Sequence, residues 1–307
     1  MRFIRQALVV VGAFVVMIAV VACGSGSDDS GASSTGTASQ GAMTQPDKIA
    51  LPDRIKSGAI NAGVDTEYPP YEFLDGSRKP TGIDVDLYKA VAKELGVEPK
   101  LTVLPFAAQI PAVQNGRFDM IVVHDADTAE RQQVVDFMDI YKTSMQPVVL
   151  KGNPSNVSEG LCGATAASNA GSFEDTVYEF SSDECEKAGK PPLKILKFTT
   201  GAQEIQAILT KRAGVYLVAP AVATYLTEKE PRLEKLDWFA KLPSTTYAGW
   251  PIAKDPEFAK ALAQAIENLT ADGTWQSILE KHGATGEGLP HPLVNGKPLD
   301  EYLAEQG

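Results

Sequence analysis

The amino-acid sequence predicts an α/β protein built from two lobes with a ligand cleft between them. Strand-like and helix-like segments alternate from about residue 49 to residue 282, which indicates mostly parallel sheets covered by helices. The segments fall into two sets of about 100 residues each, the size of a small domain. A cleft between two such units is a preferred place for a small ligand.

The first set of segments covers residues 59–135. Helix 84–96 is predicted from apolar residues at helical spacing and from Gly96, which ends the pattern. A later helix is predicted over 127–135, where Asp127 and Glu130 have the spacing of a capping box. The other predicted elements of this set are strands at 59–64, 100–105 and 118–123 and a helix at 107–116.

The second set begins near residue 148. Thr200 and Gln203 are spaced as a capping box, and Asp255-Pro256 is typical of a helix start. The predicted strands are 161–167, 193–198 and 214–219; helices are predicted after Ser172, over 200–210, from Pro220, from Pro256, over 271–283 and, as a short one, over 299–306.

The first 46 residues are expected to lie outside the fold. Arg2 and Arg5 precede an apolar run that ends at Ala22, the pattern of a secretory signal peptide over residues 1–22. Cys23 follows directly and resembles the cysteine of bacterial lipoproteins, which is acylated, for example with palmitate. Residues 23–46 are rich in Gly, Ser and Thr, which predicts a flexible tether. The alternative is an uncleaved membrane anchor with an incidental cysteine.

Export and charge limit the partners of this chain. We expect it at the outer face of the bacterial cytoplasmic membrane, in the cell envelope or periplasm, held there by its lipid anchor. The net charge of −11 argues against a nucleic-acid partner, because phosphate binding depends on clustered Lys and Arg. Cys162 and Cys185 remain as a pair in an oxidising compartment, which predicts a disulfide. Neither a metal nor a cofactor is expected.

Four blocks of sequence resemble one protein family in order and spacing. They are "GVDTEYPPYEFLDGSRKPTGIDVDLYKAVAKELGV", "IPAVQNGRFDMIVV", "TAERQQVVDF" and "LTADGTWQSILEKHG". These blocks are similar to the extracellular solute-binding proteins of bacterial ABC importers, in the group that binds polar amino acids. The resemblance implies a type II periplasmic-binding fold, in which two α/β lobes joined by two crossing strands close over one solute.

The resemblance also implies domain boundaries. Lobe 1 is expected to be discontinuous, because the chain crosses to lobe 2 and returns. The expected segments are lobe 1 at 47–145 and 246–290, lobe 2 at 146–245 and a C-terminal tail at 291–307, with crossings near Tyr141–Leu150 and Tyr247–Ile252.

Several residues match the solute site of this family. Arg131 matches the arginine that holds the solute's α-carboxylate, for which a guanidinium offers a planar, bidentate pair. Asp65 matches an acidic residue that meets a distal cation or amine. Tyr68 and Phe106 match the aromatic walls of the pocket. The alternatives are a surface arginine, a turn acid and ordinary core aromatics.

Other positions depart from the family's pattern. His124 and Ala126 stand where two residues usually help to hold the carboxylate. Gly171, Ser172 and Phe173 stand in place of a Gly-Thr-Thr-type loop of lobe 2.

The most informative departure is Ala219, which stands where lobe 2 usually carries the aspartate that pairs with the solute's α-ammonium. Burying an ammonium without a carboxylate partner is costly, so this change argues against an ordinary α-amino acid in the usual pose. Two ligand classes remain. One is an organic acid that uses Arg131; the other is a zwitterion whose amine reaches Asp65 or Asp125 from another direction.

The sequence therefore predicts a receptor without enzymatic activity. We expect a monomer that captures a small solute with a carboxylate, amino-acid-like or an organic acid, and delivers it to an ABC transporter permease. The alternative is an enzyme on the same scaffold, similar to cyclohexadienyl dehydratase. His124 or Asp125 would then serve as its general acid or base.

Overall fold

The computed structural model of the protein describes residues 49–243 and 247–306. The predicted signal peptide, the acylated Cys23 and the tether up to residue 46 lie outside the described residues. The described residues form two main sheets, each with its own helices, and these two units are the lobes.

Strands and helices alternate along both lobes, as the sequence predicts. The strands are β1 (Ala59–Val64), β2 (Glu67–Tyr68), β3 (Glu72–Leu74), β4 (Pro80–Thr81), β5 (Glu98–Val103), β6 (Met120–Val122), β7 (Asp125–Ala126), β8 (Asp136–Lys142), β9 (Gln146–Leu150), β10 (Thr165–Asn169), β11 (Lys194–Phe198), β12 (Val215–Val218), β13 (Leu233–Lys235), β14 (Tyr247–Ile252) and β15 (Gly288–Val294). The helices are α1 (Ile83–Leu95), α2 (Gln109–Gln114), α3 (Phe173–Lys187), α4 (Gly201–Leu209), α5 (Pro220–Lys229), α6 (Pro256–Ala271), α7 (Thr274–Lys281) and α8 (Leu299–Gln306).

Lobe 1 is organised around a sheet with the strand order β15-β8-β14-β6-β1-β5, and β7 pairs with β14 beside this path. Strands β1, β5 and β6 run parallel, whereas β8, β14 and β15 are antiparallel. Helices α1 and α6 bury Leu87 and Phe258, and Trp250 of β14 is fully buried as well. This buried face fixes the loops at the carboxyl ends of β1 and β6, which carry the residues discussed below.

Lobe 2 is organised around a sheet with the order β11-β10-β12-β9-β13. Strands β10, β11 and β12 are parallel, so their carboxyl ends lie at one edge of the sheet. Helices α3, α4 and α5 begin at that edge, directly after these strands. Three helix N-termini therefore face the space between the lobes.

The chain passes between the two sheets twice. The first passage lies between Lys142 and Gln146, inside the predicted crossing segment. The second precedes Tyr247, because β14 pairs along its whole length with strands of the first sheet. The predicted crossing near Tyr247–Ile252 stays a prediction.

The predicted helix over 127–135 is wrong. The chain instead forms the short strand β7 and a single 3-10 turn, Arg131–Gln133, before it enters β8. Asp127 does not cap a helix; its carboxylate accepts hydrogen bonds of 2.8 and 2.7 Å from the Gln132 amide. Pairing of β7 and β8 with β14 determines this segment, and that tertiary constraint outweighs a four-residue capping pattern.

The other capping predictions agree with the structure in their main feature. Asp255 accepts a hydrogen bond of 3.1 Å from the backbone N–H of Phe258 at the start of α6. Thr200 accepts one of 3.4 Å from the N–H of Gln203. The side-chain oxygen of Gln203 accepts a hydrogen bond from the N–H of Thr199 rather than from that of Thr200, so the capping box is shifted by one residue.

The C-terminal segment packs on lobe 1. Strand β15 adds an edge strand beside β8, and the predicted helix at 299–306 forms as α8. The Tyr302 hydroxyl donates to Asp136 at 2.7 Å, and Asn295 donates to the same carboxylate at 2.8 Å. These bonds make the predicted tail an integrated part of the lobe.

The predicted disulfide between Cys162 and Cys185 is confirmed, with a Cα–Cα distance of 5.5 Å. It joins the loop before β10 to α3. In the part of the chain that the structure describes, no helix is both long and apolar enough to cross a membrane.

Candidate functional site

A cavity of about 70 Å³ lies between the two lobes. Lobe 1 contributes residues that follow β1 and β6, and lobe 2 contributes the first turns of α3 and α4. Its position matches the rule that ligands of open α/β sheets bind at the carboxyl ends of the strands.

Among the described residues, three hydrogen bonds cross between the lobes at the cavity. The Ala219 N–H donates to the Tyr68 hydroxyl at 2.9 Å, and the Gly201 N–H donates to Glu67 at 3.2 Å. The Arg131 guanidinium donates to the Gly171 carbonyl at 3.3 Å. The structure is thus a closed arrangement in which side chains of lobe 1 satisfy backbone groups of lobe 2.

The cavity is rich in carboxyl groups. Among the described residues, no lysine or arginine lines it. The carboxyl groups come from both lobes and are Asp65, Glu67, Glu72, Asp125, Glu174 and Glu204.

Two of these carboxyl groups are fully buried and incompletely bonded. Neither oxygen of Glu72 has a hydrogen-bond partner in the described part of the chain, and neither does Oε1 of Glu204. The two side chains are 0% and 1% exposed. Buried polar groups in proteins are almost always hydrogen-bonded. The backbone N–H of His124 and the Asp84 carboxyl affect the pKa of Glu72, the Tyr216 hydroxyl affects that of Glu204, and a solute with donor groups would complete the hydrogen bonding of both acids.

Burial raises the pKa of most of these acids. It raises that of Asp65 to about 6, against the two backbone N–H groups that bind its carboxylate. It raises the pKa of Glu174 to about 7 and that of Glu204 to about 9, and the negative charges of neighbouring acids add to the rise. The pKa of Glu72 is raised well above its usual value by burial and by Asp84. A cation in the cavity would reverse these shifts.

Arg131 and Asp125 form an ion pair beside the cavity. Nη1 of Arg131 lies 2.6 Å from Oδ1 of Asp125 and donates a second bond of 2.6 Å to the Ala126 carbonyl. The same Asp125 oxygen accepts the Ala126 N–H at 2.9 Å. Phe106 faces the guanidinium, with 6.0 Å between the guanidinium carbon and the ring centroid.

His124 belongs to an aromatic cluster. Its ring centroid lies 4.0 Å from that of Tyr71, 4.9 Å from that of Tyr141 and 6.0 Å from that of Tyr68. Burial lowers the pKa of its imidazole to about 4, so the ring is neutral at physiological pH. The cluster forms an apolar wall next to the acids.

Eight of the eleven predicted site residues line the cavity: Asp65, Tyr68, Phe106, His124, Asp125, Ala126, Ser172 and Phe173. Their contact with a solute stays a prediction. Arg131, Gly171 and Ala219 do not line the cavity. Ala219 is 2% exposed and caps α5, and the Tyr68 hydroxyl covers its N–H.

The sequence interpretation missed the acids of lobe 2. It inferred from Ala219 that an ordinary α-amino acid in the usual pose lacks its ammonium partner, and it did not consider Glu174 and Glu204, which both line the cavity. Glu174 stands next to Phe173, and Glu204 next to the capping Gln203. Their position in the first turns of helices that follow parallel strands was the signal that could have identified them.

Comparison with known proteins finds one matching family. Residues 60–285 match the model of the bacterial extracellular solute-binding proteins, family 3. The arginine-binding protein of Corynebacterium glutamicum is 27% identical over 247 residues, covering 79% of this chain and 80% of that protein.

Two solved structures are similar over most of their length. An ancestral arginine-binding protein bound to arginine has a TM-score of 0.64 and 29% identity, covering 73% of this chain and 97% of that one. An ancestral amino acid-binding protein described as a precursor of cyclohexadienyl dehydratase has a TM-score of 0.62 and 29% identity, covering 74% and 96%.

Proposed function

The chain belongs to the bacterial extracellular solute-binding proteins of family 3, and on that premise we propose that it is the receptor of an ABC importer for a small cationic solute. It has the type II periplasmic-binding fold of this family. The proposal includes export, acylation of Cys23 and delivery of the solute to a membrane permease.

One observation carries the choice of a cation. Glu72 and Glu204 present buried oxygens without hydrogen-bond partners to a cavity that no described lysine or arginine lines. An amine or guanidinium supplies both the missing donors and the opposite charge. The organic acid predicted from the sequence would meet carboxyl groups instead, and the cavity offers it no cation.

The lobes supply the mechanism. A cation that bridges acids of both lobes stabilises the closed arrangement, since Asp65 and Glu72 belong to lobe 1 and Glu174 and Glu204 to lobe 2. A ligand shifts such an equilibrium by the difference in its affinity for the two states. The permease would then recognise the closed form.

A catalytic role is not proposed. The dehydratase alternative needs a general acid or base in the cavity, and His124 was its first candidate. With a pKa of about 4 its imidazole is a weak base at neutral pH. Asp125, the second candidate, is held by Arg131.

A thermal-shift screen with three groups of solutes tests the proposal. The cations are arginine, lysine, agmatine and putrescine; the acids are glutamate and benzoate; the neutral controls are glutamine and glucose. A ligand present at 100 times its dissociation constant stabilises the folded state by about 2.7 kcal/mol, so binding is readily seen. Stabilisation by an acid and by none of the cations would overturn the proposal, and turnover of prephenate or arogenate would overturn the receptor-only role.

A further inference from the structure

The Arg131 guanidinium is already engaged by a carboxylate of the protein itself. Oδ1 of Asp125 accepts from Nη1 of Arg131 and from the N–H of Ala126, at 2.6 and 2.9 Å. An arginine and a backbone N–H together are a typical binding place for a free carboxylate. The Asp125 side chain therefore occupies the place where a carboxylate of a solute would bind.

Two further N–H donors of Arg131 are also engaged by the protein. Nη1 makes a second bond to the Ala126 carbonyl, and Nη2 bonds to the Gly171 carbonyl of lobe 2. The Arg131 side chain is 14% exposed and that of Asp125 is 6% exposed. A solute carboxylate that used the Nη1 donors would displace a buried ion pair and then lie beside the released Asp125, at a cost of both desolvation and repulsion.

The free acids of the cavity form two sets, one in each lobe. In lobe 1 the negative charge of Asp65 raises the pKa of Glu72, and in lobe 2 that of Glu174 raises the pKa of Glu204. Each set contains one fully buried carboxyl group with an unpartnered oxygen, Glu72 in the first and Glu204 in the second. Carboxyl groups on both sides of the cavity are complementary to a solute with a positive group at each end.

We infer that the solute carries two cationic groups and no carboxylate, which is the class of the diamines and guanidino-amines. The inference rests on the proposed function and narrows it. Asp125 is then a specificity-determining residue, because it fills the carboxylate position and so disfavours amino acids. The aromatic side chains that line the cavity, Tyr68, Phe106, Phe173 and Tyr216, suit the aliphatic body between the two cations.

Matched pairs of solutes provide the test. Agmatine, putrescine and cadaverine are arginine, ornithine and lysine without the carboxylate. Isothermal titration of the mature protein at pH 8 should give at least tenfold tighter binding for one or more of the decarboxylated members than for the matching amino acid. Equal or tighter binding of the amino acid in every pair would overturn the inference and leave the cationic receptor intact. Binding of no cation at all would overturn the proposed function as well.

A variant separates the role of Asp125 from general effects. Asp125→Ala frees the donors of Arg131 and Ala126, so the ratio of the two dissociation constants should move at least tenfold toward the amino acid. Asp125→Asn, which keeps the shape but loses the charge, should move the ratio in the same direction. Asp127→Asn is the matched control, because this neighbouring acid bonds to Gln132 and does not line the cavity.

These variants are compared by one quantity, the ratio of the dissociation constants of the amino acid and its decarboxylated partner. A ratio that stays unchanged in folded Asp125→Ala and Asp125→Asn proteins, or that moves equally in Asp127→Asn, would overturn the role of Asp125. Melting temperatures without solute establish that each variant is folded.

Discussion

Solute affinity should rise steeply with pH between 5 and 8. A cation binds the ionised carboxyl groups, whereas protons compete with it below their pKa values. With a pKa of about 7, Glu174 is ionised in about 1% of ligand-free molecules at pH 5 and in about 90% at pH 8, so this group alone weakens binding about 90-fold at the lower pH. Asp65, with a pKa of about 6, adds a further factor of about 10.

Isothermal titration at half-unit pH steps measures this dependence. The probe is the tightest-binding cation of the screen, and guanidinium or alkylammonium groups stay protonated throughout the range. Proton release at pH 6 to 7 should appear as a binding enthalpy that depends on the ionisation enthalpy of the buffer. Glu174→Gln should remove the part of the pH dependence that is due to Glu174, a factor of about 90. A dissociation constant that stays within threefold from pH 5 to 8, or increases with pH, refutes the electrostatic account of the site.

Three further predictions concern stability and closure. The pKa of Glu204 is raised from its usual 4.5 to about 9, so the ligand-free fold loses about 3 kcal/mol of stability between pH 4.5 and pH 7. Glu204→Gln should therefore raise the melting temperature at pH 7. The same variant should weaken cation binding at least tenfold. The Cys162→Ser, Cys185→Ser double variant should lose about 3 kcal/mol of unfolding free energy in urea, because the disulfide closes a loop with a sequence separation of 23. Tyr68→Phe removes the acceptor of the Ala219 N–H, and a hydrogen bond worth about 1 kcal/mol corresponds to about fivefold weaker solute binding. An unchanged melting temperature, urea midpoint or affinity, respectively, would contradict each expectation.

Local patterns in the sequence predict most of the fold. Apolar spacing locates α1 and its end at Gly96, and the cap at Asp255 locates the start of α6. The two cysteines left in the exported part predict their own disulfide. These features depend on neighbours in sequence or on simple counting, which a single chain provides.

The acids of the cavity show the limit of that approach. Glu174 and Glu204 are visible in the sequence, but their importance depends on α3 and α4 starting at the same edge of one sheet. The interpretation of Ala219 considered a single position of lobe 2 as the partner of the solute's ammonium group and overlooked the other acids of that lobe. The helix predicted from Asp127 failed for a related reason, since pairing with β14 decides that segment.

The same electrostatics connects binding to closure. The hydrogen bonds of Tyr68 with Ala219 and of Glu67 with Gly201 join the lobes and need no solute. Burial of Glu72 and Glu204 opposes this closed arrangement, because both carboxyl groups lose water and keep at least one oxygen with incomplete hydrogen bonding. A dication removes that opposition by supplying charge and donors to both lobes at once, whereas a monocation satisfies only one lobe. A solute whose two positive groups reach the acids of both lobes should therefore increase the population of the closed form most. The receptor would then select its solute by the spacing of the charges as well as by their sign.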